Sequence, residues 1–267
     1  MRRSFALFSF TLLFIVPFAL FGQQPSQPTP ERDQQALTVL TQSLNAAGGV
    51  SALTAIQDYK ATGTATYYWA GKEVTGTTTV QGRGVAQFRI DSTLSAGNYS
   101  MVISNGSGQV TDAQGKITQI PYHNTVTLTN LSFPLVEMAI RLQDSSYNIT
   151  YVGLVTKDGH QFHQIRTNKI LPTNNVLLAQ QIFRLTTRDF LIDPQSFQVF
   201  AVMDMVHPNN NANLSTPREV LFSSYTTTNN VSVPMSITEK VGGQQTWAIQ
   251  LSQINFNVGL NDSTFAF

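Results

Sequence analysis

The 267-residue sequence contains no cysteine. This absence excludes disulfide bonds, thiolate metal sites, a cysteine nucleophile and lipid attachment to an N-terminal cysteine. Charge is also scarce, because charged residues make up only 12% of the chain, against about 25% in an average soluble domain. Ser, Thr, Asn and Gln fill the gap, which is typical of a secreted or periplasmic β protein. The 16 basic and 15 acidic residues nearly cancel, so the basic excess that binds nucleic acid is missing and no nucleic-acid partner is expected.

Signatures of catalysis and metal binding are missing as well. No serine lies in a Gly-x-Ser-x-Gly elbow, the turn that presents the nucleophile of many hydrolases. Gly106 and Gly108 precede a predicted strand rather than a helix, unlike a phosphate-binding loop. His160 and His163 are the only close pair of histidines, and a spacing of three on a strand points them to opposite faces. We therefore expect no catalytic residue, no metal site and no cofactor.

Three carboxylates lie near one predicted hairpin, at Asp189, Asp193 and Asp204. A pair of carboxylates could perform acid–base chemistry. Asp193 is better explained as the first residue of a turn, because Pro194 follows it. Asp189 is expected to pair with a neighbour on the sheet. This group therefore does not change the prediction that the protein is not an enzyme.

The first 22 residues have the pattern of a secretory signal peptide. Arg2 and Arg3 form a positive start, an apolar run extends over Phe5–Phe21, and Gly22 ends it. A retained anchor helix is the alternative, but seventeen residues are at the short limit for crossing a bilayer, and Pro17 weakens a continuous helix. We expect cleavage near Gly22 and a periplasmic or secreted protein.

The remaining chain divides into a tether and one domain. Residues 23–32 are rich in Pro and Gln, which predicts a mobile tether, and residues 33–267 are predicted to form a single β domain. Leu37, Leu40 and Leu44 recur with helical spacing, and two glycines follow, so the domain is expected to begin with a helix. A short second helix and one further helix from Phe133 to Leu142 are also predicted.

From Tyr59 onward, apolar and polar side chains alternate with a period of two, which predicts β-strands. Turn sequences such as Asn105–Gly106 separate them at short intervals. One of these strands is predicted over residues 181–192. The pattern favours a mainly β (α+β) fold of about ten or eleven antiparallel strands, with helices at the start and once midway.

Several predicted strands are apolar on both faces, and this pattern has two interpretations. One is a sheet with helices on one side and a partly covered core on the other. The second is a curved sheet whose concave face, closed by helices, forms an apolar pocket for a lipid. The sequence does not decide between them. The residues expected to line such a pocket are Tyr67, Trp69, Phe88, Leu135, Met138, Met203 and Phe222.

The order of turns and strands resembles a known family over about residues 33–265. The segments that carry the resemblance are Gly48–Gly49, Tyr151–Gly153, Asp189–Pro194, Glu219–Tyr225, Val233–Ile237, Ile254–Asn257 and Leu260–Phe265. They are similar to bacterial LolA-like outer-membrane lipoprotein carriers. The resemblance implies a half-open antiparallel β-barrel with helices over an apolar cavity. It also implies a periplasmic, non-enzymatic carrier that shields lipid or an acylated protein from water, with an outer-membrane protein as a candidate partner.

The sequence departs from that family in two ways. No arginine can be matched, residue by residue, to one that locks a lid. The carriers are usually shorter, and the Asn-rich loop over residues 208–217 is extra. Another apolar ligand could therefore have replaced lipoproteins.

Two other classes of function remain open. A secreted structural or carbohydrate-binding β protein would place Tyr and Trp flat on its outside. A small outer-membrane β-barrel would fit the ending Thr264–Phe267, but the Thr-rich strands over residues 62–79 and the predicted helices fit it poorly.

Overall fold

The computed structural model describes residues 29–69, 71–128 and 133–267. The predicted signal peptide and residues 23–28 of the predicted tether lie outside this part. Residues 31–33, at the end of the predicted tether, run beside a strand of the domain, where Glu31 O accepts from Ile149 N at 2.8 Å and Asp33 N donates to Ile149 O at 2.9 Å. Within the described residues, no helix has the length and apolar character needed to cross a membrane.

The described chain contains helices in three places and a long series of strands. The helices are α1 (Gln34–Ala46), α2 (Val50–Thr54), α3 (Tyr122–Leu128), α4 (Pro134–Gln143) and α5 (Val176–Thr186), with a 3-10 turn at Asp262–Phe265. The strands are β1 (Asp58–Trp69), β2 (Lys72–Arg83), β3 (Gln87–Leu94), β4 (Gly97–Ser104), β5 (Ser107–Thr111), β6 (Ile117–Ile120), β7 (Tyr147–Lys157), β8 (His160–Lys169), β9 (Arg188–Ile192), β10 (Val199–Val206), β11 (Thr216–Thr228), β12 (Val231–Val241) and β13 (Gln244–Phe256).

All thirteen strands form one antiparallel sheet in the order β6-β5-β4-β3-β2-β1-β13-β12-β11-β10-β9-β8-β7. The sheet does not close, and β6 and β7 are its edges. A twisted sheet of this width curls, and helices cover its concave face. The predicted mainly β, half-open antiparallel architecture is therefore confirmed, with thirteen strands in the described residues rather than ten or eleven.

Helix α1 forms where the leucine spacing predicts it. The Asp33 carboxylate accepts from Ala36 N at 2.9 Å and caps the first turn. The helix buries Leu40 and Leu44 against the sheet. Its end passes so close to the β11–β12 turn that a Cβ at Gly48 would lie 2.3 Å from Asn230 O. Gly48 also has a φ of 115°, so glycine is required there for two independent reasons.

The main core fills the space between the concave face and helices α1, α2 and α4. Phe133, just before α4, is fully buried and packs its ring on Tyr59 at 5.8 Å and on Phe256 at 5.6 Å, measured between ring centroids. A second, smaller cluster lies on the opposite face of the sheet, around Phe162 and Leu191. Strand β10 contributes to both, which explains its two-sided apolar pattern.

Two helices were not predicted from the sequence. The prediction of one strand over residues 181–192 is wrong, because α5 continues to Thr186 and β9 begins only at Arg188. The Asn175 side chain caps α5 by accepting from Leu178 N at 3.0 Å. Leu185 is its one buried residue. The sequence does contain a helical signal, because Leu178, Ile182 and Leu185 recur at i, i+4 and i+7, and the strand prediction overlooks it. Helix α3 was missed as well; Thr, Asn and His make up most of it, and these residues have low helix propensity.

Candidate functional site

Six of the seven residues predicted to line a pocket lie in the main core. Tyr67, Trp69, Phe88, Leu135, Met138 and Phe222 all belong to it. The aromatic rings at one end are in mutual contact, with centroids 5.2 Å apart for Tyr67 and Trp69 and 4.9 Å apart for Tyr67 and Tyr99. Burial raises the pKa of Tyr67 to about 12, and its hydroxyl lies 3.3 Å from Ser92 Oγ. The strand residues contribute to the core from the sheet and Leu135 and Met138 from α4, with Trp69 partly buried at its margin.

Met203 is not part of the main core. It packs on the outer cluster with Ala201 and Leu221. The reason is a β-bulge, since the pairing of β10 with β9 shifts register between Val199 and Ala201. A bulge places two residues opposite one and reverses which face the following side chains occupy. Strict alternation had placed Val199 and Met203 together, and the bulge separates them.

The most unusual feature of the concave face is a network of buried charges. Glu137 Oε1 on α4 accepts from Arg141 Nε at 2.9 Å and from Arg141 Nη2 at 2.6 Å. Glu137 Oε2 accepts from Arg188 Nη1 on β9. Arg141 Nη1 also donates to Thr167 Oγ1 at 2.7 Å and to the carbonyl of Thr186 at 3.0 Å. One carboxylate thus holds two arginines, and one of these arginines caps the C-terminus of α5.

The network continues across the strands. Asp204 on β10 accepts from Arg218 on β11, at 2.8 Å from Nε and 2.5 Å from Nη2. Arg188 Nε lies 3.4 Å from Asp204, and Arg218 Nη1 lies 3.8 Å from Glu239 on β12. Arg188 and Arg218 both donate to the carbonyl of Thr127. These arginines therefore hold the last turn of α3.

Burial raises the pKa of both glutamates of the network, but the arginines outweigh it at only one of them. Burial by itself raises the pKa of Glu137, but Arg141 and Arg188 outweigh it, so that the pKa of Glu137 is lowered. For Glu239 burial prevails over the attraction of the more distant Arg218, and its pKa is raised. The Glu137 carboxylate is therefore the firmly ionised centre of the network.

A cavity of about 420 Å³, which we call the helix cavity, lies between α3, α4, α5 and two strand turns. Most of its wall is aliphatic or aromatic, and polar groups occupy the remainder. Its lining is Val85, Ala86, Asn105, Gly106, Tyr122, Thr125, Val126, Glu137, Ile140, Arg141, Tyr147, Lys169, Leu171, Ile182 and Thr186. The Arg141 guanidinium lies over the Tyr147 ring, 4.7 Å from its centroid. The wall is thus apolar, with cations at one side.

A second space of about 590 Å³, the α5 groove, lies on the other side of α5. Phe183 from the helix and Met203, Met205 and Pro217 from the strands supply its apolar lining. Between the two spaces, the ion network leaves a void of only about 10 Å³ beside Arg188 and Arg218, which is the size of one water molecule. The centre of the concave face is therefore filled.

His163 and the hairpin carboxylates have structural partners. His163 Nδ1 lies 2.9 Å from the Tyr151 hydroxyl. Asp189 pairs with Arg166 at 2.7 Å, as expected, and Asp193 accepts from the backbone N–H groups of Gln195 and Ser196, which confirms its place in a turn. In the part of the chain that the structure describes, no three metal-ligating side chains come together.

Comparisons with known proteins identify the architecture. Neither a protein-family model nor a curated protein matches the sequence. Solved structures do: a putative outer membrane lipoprotein-sorting protein domain from Vibrio parahaemolyticus has a TM-score of 0.51 at 11% identity, covering 86% of this chain and 96% of that one. A LolA superfamily protein from Nitrosomonas europaea has a TM-score of 0.52 at 9% identity, covering 87% and 97%. The fold is LolA-like.

A third structure supports that assignment. A DUF1329 family protein from Desulfovibrio piger has a TM-score of 0.52 at 10% identity, with coverage of 86% of this chain and 96% of that one. At such identities the likeness concerns the fold. In this LolA-like chain the buried network and the helix cavity must therefore be interpreted from their own residues.

Only a weak signal in the sequence marks the buried network and the helix cavity. Glu137 and Arg141 are one helical turn apart on a helix that is otherwise apolar toward the sheet, which is the spacing of an ion pair. Their burial was not foreseen. The helix cavity is built partly by α3 and α5, the two helices that were not predicted.

Proposed function

We propose that this protein is a LolA-like, non-enzymatic carrier that binds an acyl chain in the helix cavity. The observation that carries the proposal is the cavity itself. Its volume of about 420 Å³ falls within the range of small-molecule sites, which are mostly apolar with a few placed polar groups. Each CH₂ group that enters such a wall contributes about 0.8 kcal/mol, so an acyl chain needs no charged anchor to bind.

The lining also suits an amphiphile with a polar end. Ile140, Leu171 and Ile182 offer aliphatic surface to a chain. Lys169 lies beside the Tyr147 ring, where its ammonium could pair with a carboxylate or a phosphate. The ligand would therefore be a lipid or an acylated protein, and the acyl chain is the part that the cavity recognises.

The six core residues first assigned to a pocket take a secondary role in this proposal. Leu135 and Met138 are on the same helix as Ile140, so displacement of α4 would extend the helix cavity toward Tyr67, Phe88 and the other concave residues. Met203 is not included, because it faces the α5 groove.

The proposed location is the periplasm or the exterior of the cell. The N-terminal sequence pattern supports export, and one protein of similar fold is named as an outer membrane lipoprotein-sorting domain. The same name supports an acylated protein as cargo and an outer-membrane protein as partner. Aromatic placement favours lipid over carbohydrate, since Tyr67 and Phe88 are buried in the core and do not form a flat outer platform.

Binding of a fluorescent fatty acid tests the proposal. We expect saturable binding by the wild type and its loss in Ile182→Trp, because the larger side chain fills the helix cavity. Leu154→Trp is the matched control, since Leu154 is 54% exposed on β7 and lines neither the helix cavity nor the α5 groove.

Two results would contradict this function. One is the absence of saturable probe binding by the wild type. The other is probe binding that survives Ile182→Trp, combined with a loss of about 1–3 kcal/mol in the free energy of unfolding in urea, which is the cost of overpacking. That combination is expected if the cavity is a closed core and the probe binds elsewhere.

A further inference from the structure

Helix α5 is apolar yet mostly uncovered. Four of its apolar side chains are exposed: Val176 by 65%, Leu177 by 78%, Leu178 by 40% and Phe183 by 42%. We call these four residues the α5 patch. Val176 and Phe183 are seven residues apart, which places them on one stripe of the helix, and Leu177 and Leu178 complete its first turn. Clustered apolar exposure of this kind marks an interaction surface.

The charge around the patch indicates what covers it. Arg184 is the only charged residue of residues 170–187. The α5 groove beside Phe183 adds three carboxylates, and its four cations outnumber them by one; these groups are Asp189, Asp204, Glu219, Arg166, Arg184, Arg218 and Lys240. An apolar helix with a cation and no carboxylate is complementary to the interface of a bilayer that contains anionic lipids, where it can lie with its apolar side chains among the acyl chains.

The extra Asn-rich loop lies against the same helix. Arg184 Nη2 donates to the carbonyl of Ala212 at 2.6 Å, and Arg184 Nη1 lies 3.4 Å from Ser215 Oγ. Leu214, between these two contacts, is 59% exposed. The loop thus adds an apolar side chain beside a helix that already has four.

We propose that α5 is a membrane-docking helix that inserts the α5 patch into the surface of a lipid bilayer. This inference rests on the proposed function, because Ile182 and Thr186 of the same helix line the helix cavity. Docking through α5 brings that cavity to the bilayer surface, where an acyl chain can pass between membrane and protein without crossing water.

The absence of cysteine makes a site-specific test direct. Two single-cysteine variants, Leu177→Cys and the matched control Leu154→Cys, are purified as exported proteins from the native host. An environment-sensitive fluorophore is attached to the cysteine of each. Vesicles of phosphatidylcholine with phosphatidylglycerol are then added. We expect a blue shift and stronger emission at position 177, a smaller response with phosphatidylcholine alone, and none at position 154. Equal responses at the two positions, or none at 177, would overturn the proposal.

A second variant measures the strength of docking. Leu177→Glu should weaken vesicle binding by ~tenfold or more, because an apolar side chain no longer enters the bilayer, whereas Leu154→Glu should not. Fatty-acid binding in solution should survive in both variants. Vesicle binding by Leu177→Glu as strong as that of the wild type would overturn the docking inference alone, and absence of probe binding by a wild type that still binds vesicles would overturn the cavity alone. A dimer that Leu177→Glu converts to a monomer would assign the patch to a second copy instead.

Discussion

Glu137 is the residue on which the buried charges depend. Its two oxygens hold Arg141 and Arg188, and these arginines in turn hold carbonyls of α5 and α3. All six side chains of the network are 9% exposed or less. Charges this deep are costly to desolvate, and each is tolerated only while its partner is present. The network therefore contributes little net stability to the fold. Its role is to fix the ends of α3 and α5.

Substitution of the two glutamates by glutamine should have unequal effects. Glu137→Gln leaves two buried arginines without their carboxylate and should cost about 3–5 kcal/mol in the free energy of unfolding. Glu239→Gln is the matched control. Its carboxyl has a raised pKa, so ionisation at neutral pH works against folding, and the substitution should be close to neutral or stabilising. Urea denaturation at pH 7 measures both; equal losses would contradict the assigned roles.

The lowered pKa of Glu137 also predicts how the stability of the fold responds to acid. A carboxyl whose folded pKa is lowered contributes stability that is fully present above its unfolded pKa, about 4.3 for glutamate, and lost as the pH falls through the folded value. Glu137 is such a group. The wild type should therefore lose stability below about pH 4.3, and Glu137→Gln should show a smaller loss over that interval.

Residue-level prediction from the sequence succeeded where neighbours in the chain decide the outcome. The turn role of Asp193 follows from Pro194 beside it. Arg188, the second partner of Glu137, lies on a strand 51 residues away in sequence, so their meeting depends on sheet order and register. Met203 was misplaced for the same reason, because a single bulge in β10 reverses its face.

At the scale of elements, α1 and α5 differ in what holds them. Helix α1 has a capped start, a buried leucine stripe and a glycine end, so its sequence predicts it. Helix α5 buries only Leu185 and is fixed by Asn175 at one end and by Arg141 at the other. Contacts at its two ends hold such a helix, although its apolar residues recur with helical spacing.

Two neighbouring glycines at the end of α1 allow a test of how closely this end approaches the backbone of the β11–β12 turn. Gly48 and Gly49 both have a positive φ, of 115° and 92°, so alanine is strained at either position, by about 1–3 kcal/mol. Only at Gly48 would the new Cβ also meet the backbone, 2.3 Å from Asn230 O, whereas Gly49 faces open space. Gly48→Ala should therefore be the more destabilising in urea denaturation. If Gly49→Ala lowered the free energy of unfolding as much as Gly48→Ala, backbone strain alone, and not the contact with Asn230, would explain both losses.

At the scale of the whole molecule, the pairing of β1 with both β2 and β13 joins the two ends of the described chain at the middle of the sheet. The pattern of turns predicted the antiparallel class, since short connections leave no room for crossovers. It did not predict the order beyond neighbours in sequence, because the pairing of β1 with β13 closes a long loop that no local signal marks.

The two edges of the open sheet differ in how well they are covered, and this difference can be measured by hydrogen exchange. Edge β7 is covered near Ile149 by Glu31 and Asp33, whereas β6 is a four-residue strand with three exposed side chains. Amides exchange with solvent through local opening, which is easiest where few buried contacts must break. In hydrogen exchange followed by mass spectrometry, we expect β6 to exchange fastest, the start of β7 more slowly, and the central β1 and β13 slowest. Equal protection of β6 and β7 would mean that residues 31–33 do not shield their edge in solution, and that this segment remains part of the tether.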